Sequence, residues 1–170
     1  MHKTYNSRSD VSGHSAKSDL PAISLPDEAT TAIFALAFSR CIRPGLVVYL
    51  RGDLGAGKTT LVRGILNSLG YTGRVKSPTY TLLEQYEVQG LRLNHFDLYR
   101  FRDAFEWESA GFSDEFNGQN ICLIEWPEQA AGLVPQADVE IIFEILPEGR
   151  NISLLAQTDL GRECLNRLEK

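Results

Sequence analysis

The segment Gly52-Asp53-Leu54-Gly55-Ala56-Gly57-Lys58-Thr59 fits the pattern G-x-x-x-x-G-K-[ST] at every fixed position. Its flanks fix its setting. Before it runs Leu46-Val47-Val48-Tyr49-Leu50, an unbroken apolar stretch typical of a strand covered on both faces. After it, Leu61, Val62, Ile65, Leu66 and Leu69 recur at helical spacing until Gly70. A buried strand, a glycine-rich loop and a helix packed back on the strand restrict the chain to the α/β class.

The rest of the chain supplies the remaining elements. Asp27 is placed to cap a helix in which Ala29, Ala32, Ile33, Leu36, Ala37 and Cys41 form the expected core-facing stripe, ending at Pro44-Gly45. Apolar residues alternate from Thr79 to Val88 and from Leu91 to Asp97 around Gln89-Gly90, which predicts an antiparallel hairpin. Asp103 with Glu106 resembles a capping box for a short helix ended by Gly111, and Ile121 to Ile124 is a second buried strand. Val139, Ile141, Phe143 and Ile145 alternate up to Pro147-Glu148-Gly149, Ile152 to Ala156 returns, and Leu160, Cys164 and Leu168 mark a last small helix. Parallel and antiparallel signals together predict a P-loop NTPase-type mixed β-sheet flanked by helices.

With 170 residues, 43% of them apolar, one core and one domain are expected over residues 20–170. Met1 to Asp19 has almost nothing apolar to bury and is expected to be a disordered leader. It carries no hydrophobic stretch of the secretory kind, and no run approaches the roughly 20 apolar residues a bilayer requires, so a cytoplasmic protein with no membrane partner is expected. The net charge of -5 argues against a surface devoted to nucleic-acid phosphates. Cys41, Cys122 and Cys164 have no C-x-x-C spacing and read as reduced, buried thiols.

The loop from Asp53 through Leu54, Gly55, Ala56 and Gly57 turns backbone N–H groups toward a β-phosphate, and the helix N-terminus adds its positive dipole end. Lys58 then sets a point charge on the β/γ oxygens, Thr59 offers a hydroxyl to Mg²⁺, and Thr60 reaches an α-phosphate oxygen. Two strand-end acids compete for the accompanying carboxylate role. Glu125 follows its buried strand as a metal-binding acid would, while Asp97 is placed to orient water, hold a metal-bound water or accept a proton. His95 reads as a hydrogen-bonded structural imidazole, since no second His lies at metal-ligand spacing. Ser77-Pro78-Thr79 falls where such proteins place a segment that senses the γ-phosphate.

Four strings in this order, Gly52 to Thr60, Ser77-Pro78-Thr79-Tyr80, His95-Phe96-Asp97-Leu98-Tyr99-Arg100 and Ile124-Glu125-Trp126-Pro127-Glu128, resemble the bacterial TsaE (YjeE-type) family. The resemblance begins near Leu25-Pro26-Asp27-Glu28. It implies a small ATPase, using ATP and Mg²⁺, that works with the TsaD and TsaB proteins to make threonylcarbamoyladenosine beside the anticodon of tRNAs reading codons that begin with A, with tRNA touched only indirectly or weakly. It further implies that Thr59 and Glu125 hold Mg²⁺, Asp97 supports hydrolysis, Trp126 shapes the nucleotide site or a partner face, and Glu28, Thr31 and Gly149 approach the nucleotide.

Two other readings use the same cradle. A small-molecule kinase would pass the γ-phosphate to a hydroxyl, with Tyr99-Arg100-Phe101-Arg102 as an arginine-bearing lid. A regulatory GTPase is disfavoured, because no Asn-Lys-x-Asp string is present to recognise guanine. No motif places an arginine in cis at the phosphates, so low intrinsic turnover, raised by a partner, is expected.

Overall fold

The computed structural model describes residues 20–170; the expected leader at 1–19 lies outside the described residues. In chain order the elements are β1 (Ile23–Leu25), α1 (Glu28–Ser39), β2 (Val47–Arg51), α2 (Lys58–Ser68), β3 (Leu83–Val88), β4 (Leu91–Asp97), α3 (Ala104–Ser109), β5 (Ile121–Glu125), β6 (Val139–Ile145), β7 (Arg150–Ala156) and α4 (Asp159–Leu168). Short 3₁₀ turns at Phe112–Glu115 and Pro127–Ala130 flank β5.

The seven strands form one mixed sheet in the order β1-β7-β6-β2-β5-β4-β3. The pairs β2/β5, β2/β6 and β4/β5 are parallel, whereas β1/β7, β3/β4 and β6/β7 are antiparallel. One consequence governs the site. The C-terminal ends of β2, β4, β5 and β6, the N-terminal end of β7 and the C-terminal end of β1 all open on the same edge of the sheet. In open α/β sheets, that carboxyl edge is where ligands bind.

Both faces of the central strands are covered. On one, Val48, Leu50, Leu123 and Ile141 join Phe34, Phe38, Leu61, Ile65 and Leu66 from α1 and α2. On the other, Val47, Tyr49, Cys122 and Ile124 meet an aromatic cluster of Phe96, Trp107, Phe112 and Phe116. The Trp107 indole N–H donates to Ser113 Oγ at 2.8 Å, so the largest buried side chain loses no hydrogen bond.

Helix α1 begins as expected, with Asp27 accepting from the Thr30 N–H at 2.8 Å, but it buries a different face. The buried residues are Thr31, Phe34, Ala35, Phe38 and Ser39; of the expected stripe Cys41 is buried and Ala37 half-buried, but Ala29 and Ala32 are exposed, and so are Ile33 and Leu36, at 68% and 42%. The helix is apolar on almost every side, so periodicity alone does not select a face. The two phenylalanines settle it, because they have the most area to bury.

Two strand boundaries also shift. The hairpin strand β3 starts at Leu83, since Thr79–Leu82 form a turn with the Leu82 N–H on the Pro78 carbonyl at 2.8 Å. Its far end has the expected Gln89-Gly90 turn, both residues at positive φ. The last hairpin returns at Arg150, two residues before the apolar alternation begins, and Ile145 is half exposed. Strand β1 has no counterpart in the sequence reading, because three residues are too few to establish a period.

Candidate functional site

The cradle forms where β2 runs into α2. Gly57 caps α2 with φ +101° and no side-chain cap, so the first-turn N–H groups are left for an anion rather than closed by a hydroxyl or carboxylate. The loop holds itself by the Ala56 N–H on the Asp53 carbonyl at 3.1 Å. Lys58 folds over it: Nζ donates to the Gly52 carbonyl and to the Asp53 carbonyl at 3.3 Å, and lies 3.9 Å from the Trp126 ring centroid. Burial pulls the Lys58 ammonium below the usual lysine range, with the negative charges of Glu125 and Asp97 opposing that shift. A poorly hydrated cation of this kind gains from a phosphate beside it.

The two acids stand side by side, Asp97 opposite Glu125 in the β4/β5 register. Glu125 Oε1 accepts from the Thr59 hydroxyl at 2.6 Å and faces His95 Nε2 at 2.9 Å. Asp97 Oδ1 accepts from the Tyr99 N–H at 3.0 Å, and burial pushes its carboxyl above the usual aspartate range. Trp126, immediately after Glu125, has φ +57°, a conformation costly for a large side chain. Its ring packs on Tyr99, with centroids 5.1 Å apart.

Glu28, Leu54, Gly55, Ala56, Gly57, Lys58, Thr59, Thr60, Asp97, Glu125 and Trp126 line one cavity of about 690 Å³, together with Ser77 and Thr79. Three residues singled out by the sequence do not line it. Thr31 is buried in α1, with its hydroxyl donating to the Asp27 carbonyl at 3.1 Å. The exposed Asp53 presents its carbonyl, not its side chain, to the loop. Gly149 makes the β6–β7 turn at φ +71°, where a Cβ would fall 2.5 Å from Pro26 Cα, so its lack of a side chain lets the hairpin pack against the entrance to α1.

Arg150 belongs to no motif in the sequence, and no motif there places an arginine in cis at the phosphates. The structure brings two to the cavity. Arg150 donates from Nη1 to the Ala56 carbonyl at 2.7 Å and fills the space that a side chain on Gly57 would take. The Arg100 guanidinium sits 4.8 Å over the Tyr80 ring. The pairing of β7 with β6 delivers Arg150 to the loop, and that pairing is invisible to a local motif. The nearest signal was Gly149, its chain neighbour.

Among the described residues, no helix is long and apolar enough to cross a membrane. The family model described as threonylcarbamoyl adenosine biosynthesis protein TsaE matches residues 25–152. The chain belongs to the TsaE family. The TsaE match spans every residue named above as lining the cavity, from Glu28 to Arg150. Among relatives named tRNA threonylcarbamoyladenosine biosynthesis protein TsaE, that of Haemophilus influenzae is 46% identical over 147 residues, covering 84% of this chain and 93% of the relative. That of Bacillus subtilis is 41% identical over 117 residues, covering 69% and 72%. The crystal structure of Bacillus subtilis YdiB superposes with a TM-score of 0.74 at 29% identity, covering 87% of this chain and 93% of that one. The mixed α/β sheet of this TsaE chain is therefore shared with a solved structure.

Proposed function

We propose that this TsaE-family chain is a Mg²⁺-dependent ATP hydrolase that serves TsaD and TsaB in forming threonylcarbamoyladenosine beside the anticodon of tRNAs reading codons that start with A. The family's name and its relatives' names support the pathway. The observation that carries the chemistry is the 2.6 Å hydrogen bond from Thr59 to Glu125, which joins the cradle's hydroxyl to a strand-end carboxylate at one end of the cavity. The net charge of -5 favours an indirect or weak encounter with tRNA.

The donor set suits magnesium. Thr59 and Glu125 are hard oxygen donors, the kind Mg²⁺ takes beside water and phosphate oxygens. Thr59 and Glu125 would hold Mg²⁺, which would supply positive charge against the negative charge that develops on the phosphates. The chain's own groups do the rest. Amides of the loop and the first turn of α2 cradle the β-phosphate, and Lys58 Nζ exchanges its loop carbonyls for β/γ oxygens. With Asp97 Oδ1 held by the Tyr99 amide, Oδ2 is the atom that orients the attacking water and takes its proton. A carboxyl raised by burial is a better proton acceptor than a solvated one. Arg150 and Arg100 supply positive charge along the cavity wall.

The test is phosphate release from ATP and Mg²⁺ by the purified chain, alone and mixed with TsaB and TsaD. Release to water that rises on mixing and vanishes in Lys58→Ala supports the proposal. Transfer to an added hydroxyl acceptor, with none released to water, would establish the kinase reading instead.

A further inference from the structure

His95 belongs to the string His95-Phe96-Asp97, yet neither the hydrolysis just described nor the packing of the core accounts for it. It is fully buried on β4, and Nε2 lies 2.9 Å from Glu125 Oε1. Because a carboxylate oxygen accepts, Nε2 carries the hydrogen and donates. Nδ1 is then left as an acceptor, and it is the buried side-chain nitrogen or oxygen with no hydrogen-bond partner among the described residues. Leaving a buried polar atom unmatched costs stability. An apolar side chain would suit a strand flanked by buried Leu93 and Leu123 better. Among the described residues, the one hydrogen bond the imidazole makes is to Glu125.

We infer that His95 is a positioning residue for Glu125. Two donors, Thr59 Oγ1 and His95 Nε2, converge on the same oxygen, Oε1, from α2 and β4. Fixing one oxygen from two directions sets the rotation of the carboxylate about its last bond. Oε2 has no hydrogen bond to the protein among the described residues, and Glu125 lines the nucleotide cavity. His95 therefore keeps Oε2 presented to the cavity. It acts as a hydrogen-bond donor and touches no reacting atom. The inference rests on the proposed role of Glu125 as the acid of the metal–nucleotide site.

The test is calorimetric ADP affinity, with Mg²⁺ and with EDTA, for the full chain and three variants, alongside melting temperature. His95→Gln places an amide N–H near the Nε2 position; His95→Leu has no donor, and His95→Asn has a donor only near Nδ1. The Mg²⁺-dependent gain in affinity is expected to fall about tenfold in His95→Leu and His95→Asn and to stay within about threefold of wild type in His95→Gln, with EDTA affinities unchanged within about twofold. The Gln and Asn pair stands if the Leu variant does not fold. A full Mg²⁺ gain in Leu or Asn, or an equal loss in Gln, overturns the positioning role. A wild-type chain with no Mg²⁺ gain overturns it as well, by removing the role of Glu125 on which it rests, and that outcome is distinct because it appears before any substitution.

Discussion

Asp97 and Glu125 occupy paired positions at the carboxyl ends of the adjacent parallel strands β4 and β5, yet their surroundings differ. Among the described residues, Glu125 Oε1 has two hydrogen-bond partners, Thr59 and His95, whereas Asp97 accepts one backbone N–H and is raised by burial. Neighbouring carboxylates in unlike environments suit separate tasks.

Asp97→Asn is expected to stabilise the fold at neutral pH. The folded-state carboxyl sits above its ordinary value of 3.8, so its contribution is most favourable in acid and is lost as pH rises through the folded-state value. The amide keeps the oxygen that accepts from Tyr99 and removes the ionisation cost. The gain at pH 7 should shrink toward zero near pH 4. Urea denaturation at the two pH values measures it; equal stability at both would contradict the burial argument.

Lys58→Ala removes the charge that the nucleotide would draw from the loop carbonyls. Hydrogen bonds to charged groups are worth about 1.5–3 kcal/mol, so ATP affinity should fall roughly 10- to 150-fold by calorimetry. Affinity within threefold of wild type would show that phosphate does not bind there.

Gly57 and Arg150 should be coupled. At φ +101° a non-glycine residue is strained, and its Cβ would also collide with Arg150 Nη1, so Gly57→Ala should cost about 1–3 kcal/mol. In an Arg150→Ala background the collision disappears but the backbone strain stays. A double-mutant cycle by thermal denaturation should show partial relief; strict additivity would separate the arginine from the loop.

The central unit was legible because its information is local. Asp27 at a helix start, Gly52 to Thr59 between strand and helix, and Gln89-Gly90 at a hairpin each carry their conformation in a few neighbouring residues. What needed the fold was which face of an almost wholly apolar α1 turns inward, and which side chain a distant hairpin brings to the loop. Thr31 and Gly149, carried by family resemblance, do not line the cavity, while Arg150, the residue after Gly149, does.

The α1 face can be tested directly. Phe34→Ala should destabilise by about 3–5 kcal/mol as a large core truncation, while Ile33→Ser at its exposed neighbour should stay within about 0.5 kcal/mol. Comparable losses at the two positions, measured by urea denaturation, would contradict a buried Phe34 beside an exposed Ile33.

The division of labour between the two acids is tested most directly by ATP affinity with and without Mg²⁺ for wild type, Glu125→Ala and Asp97→Ala, paired with single-turnover hydrolysis in the presence of TsaB and TsaD. A metal ligand stabilises the bound ground state, whereas a water-orienting carboxylate acts chiefly in the transition state. Glu125→Ala should therefore lose the Mg²⁺-dependent gain in affinity, and Asp97→Ala should keep it while hydrolysis falls by about 10²- to 10⁴-fold. Loss of the Mg²⁺ gain in Asp97→Ala with its retention in Glu125→Ala would contradict the assignment and exchange the two roles.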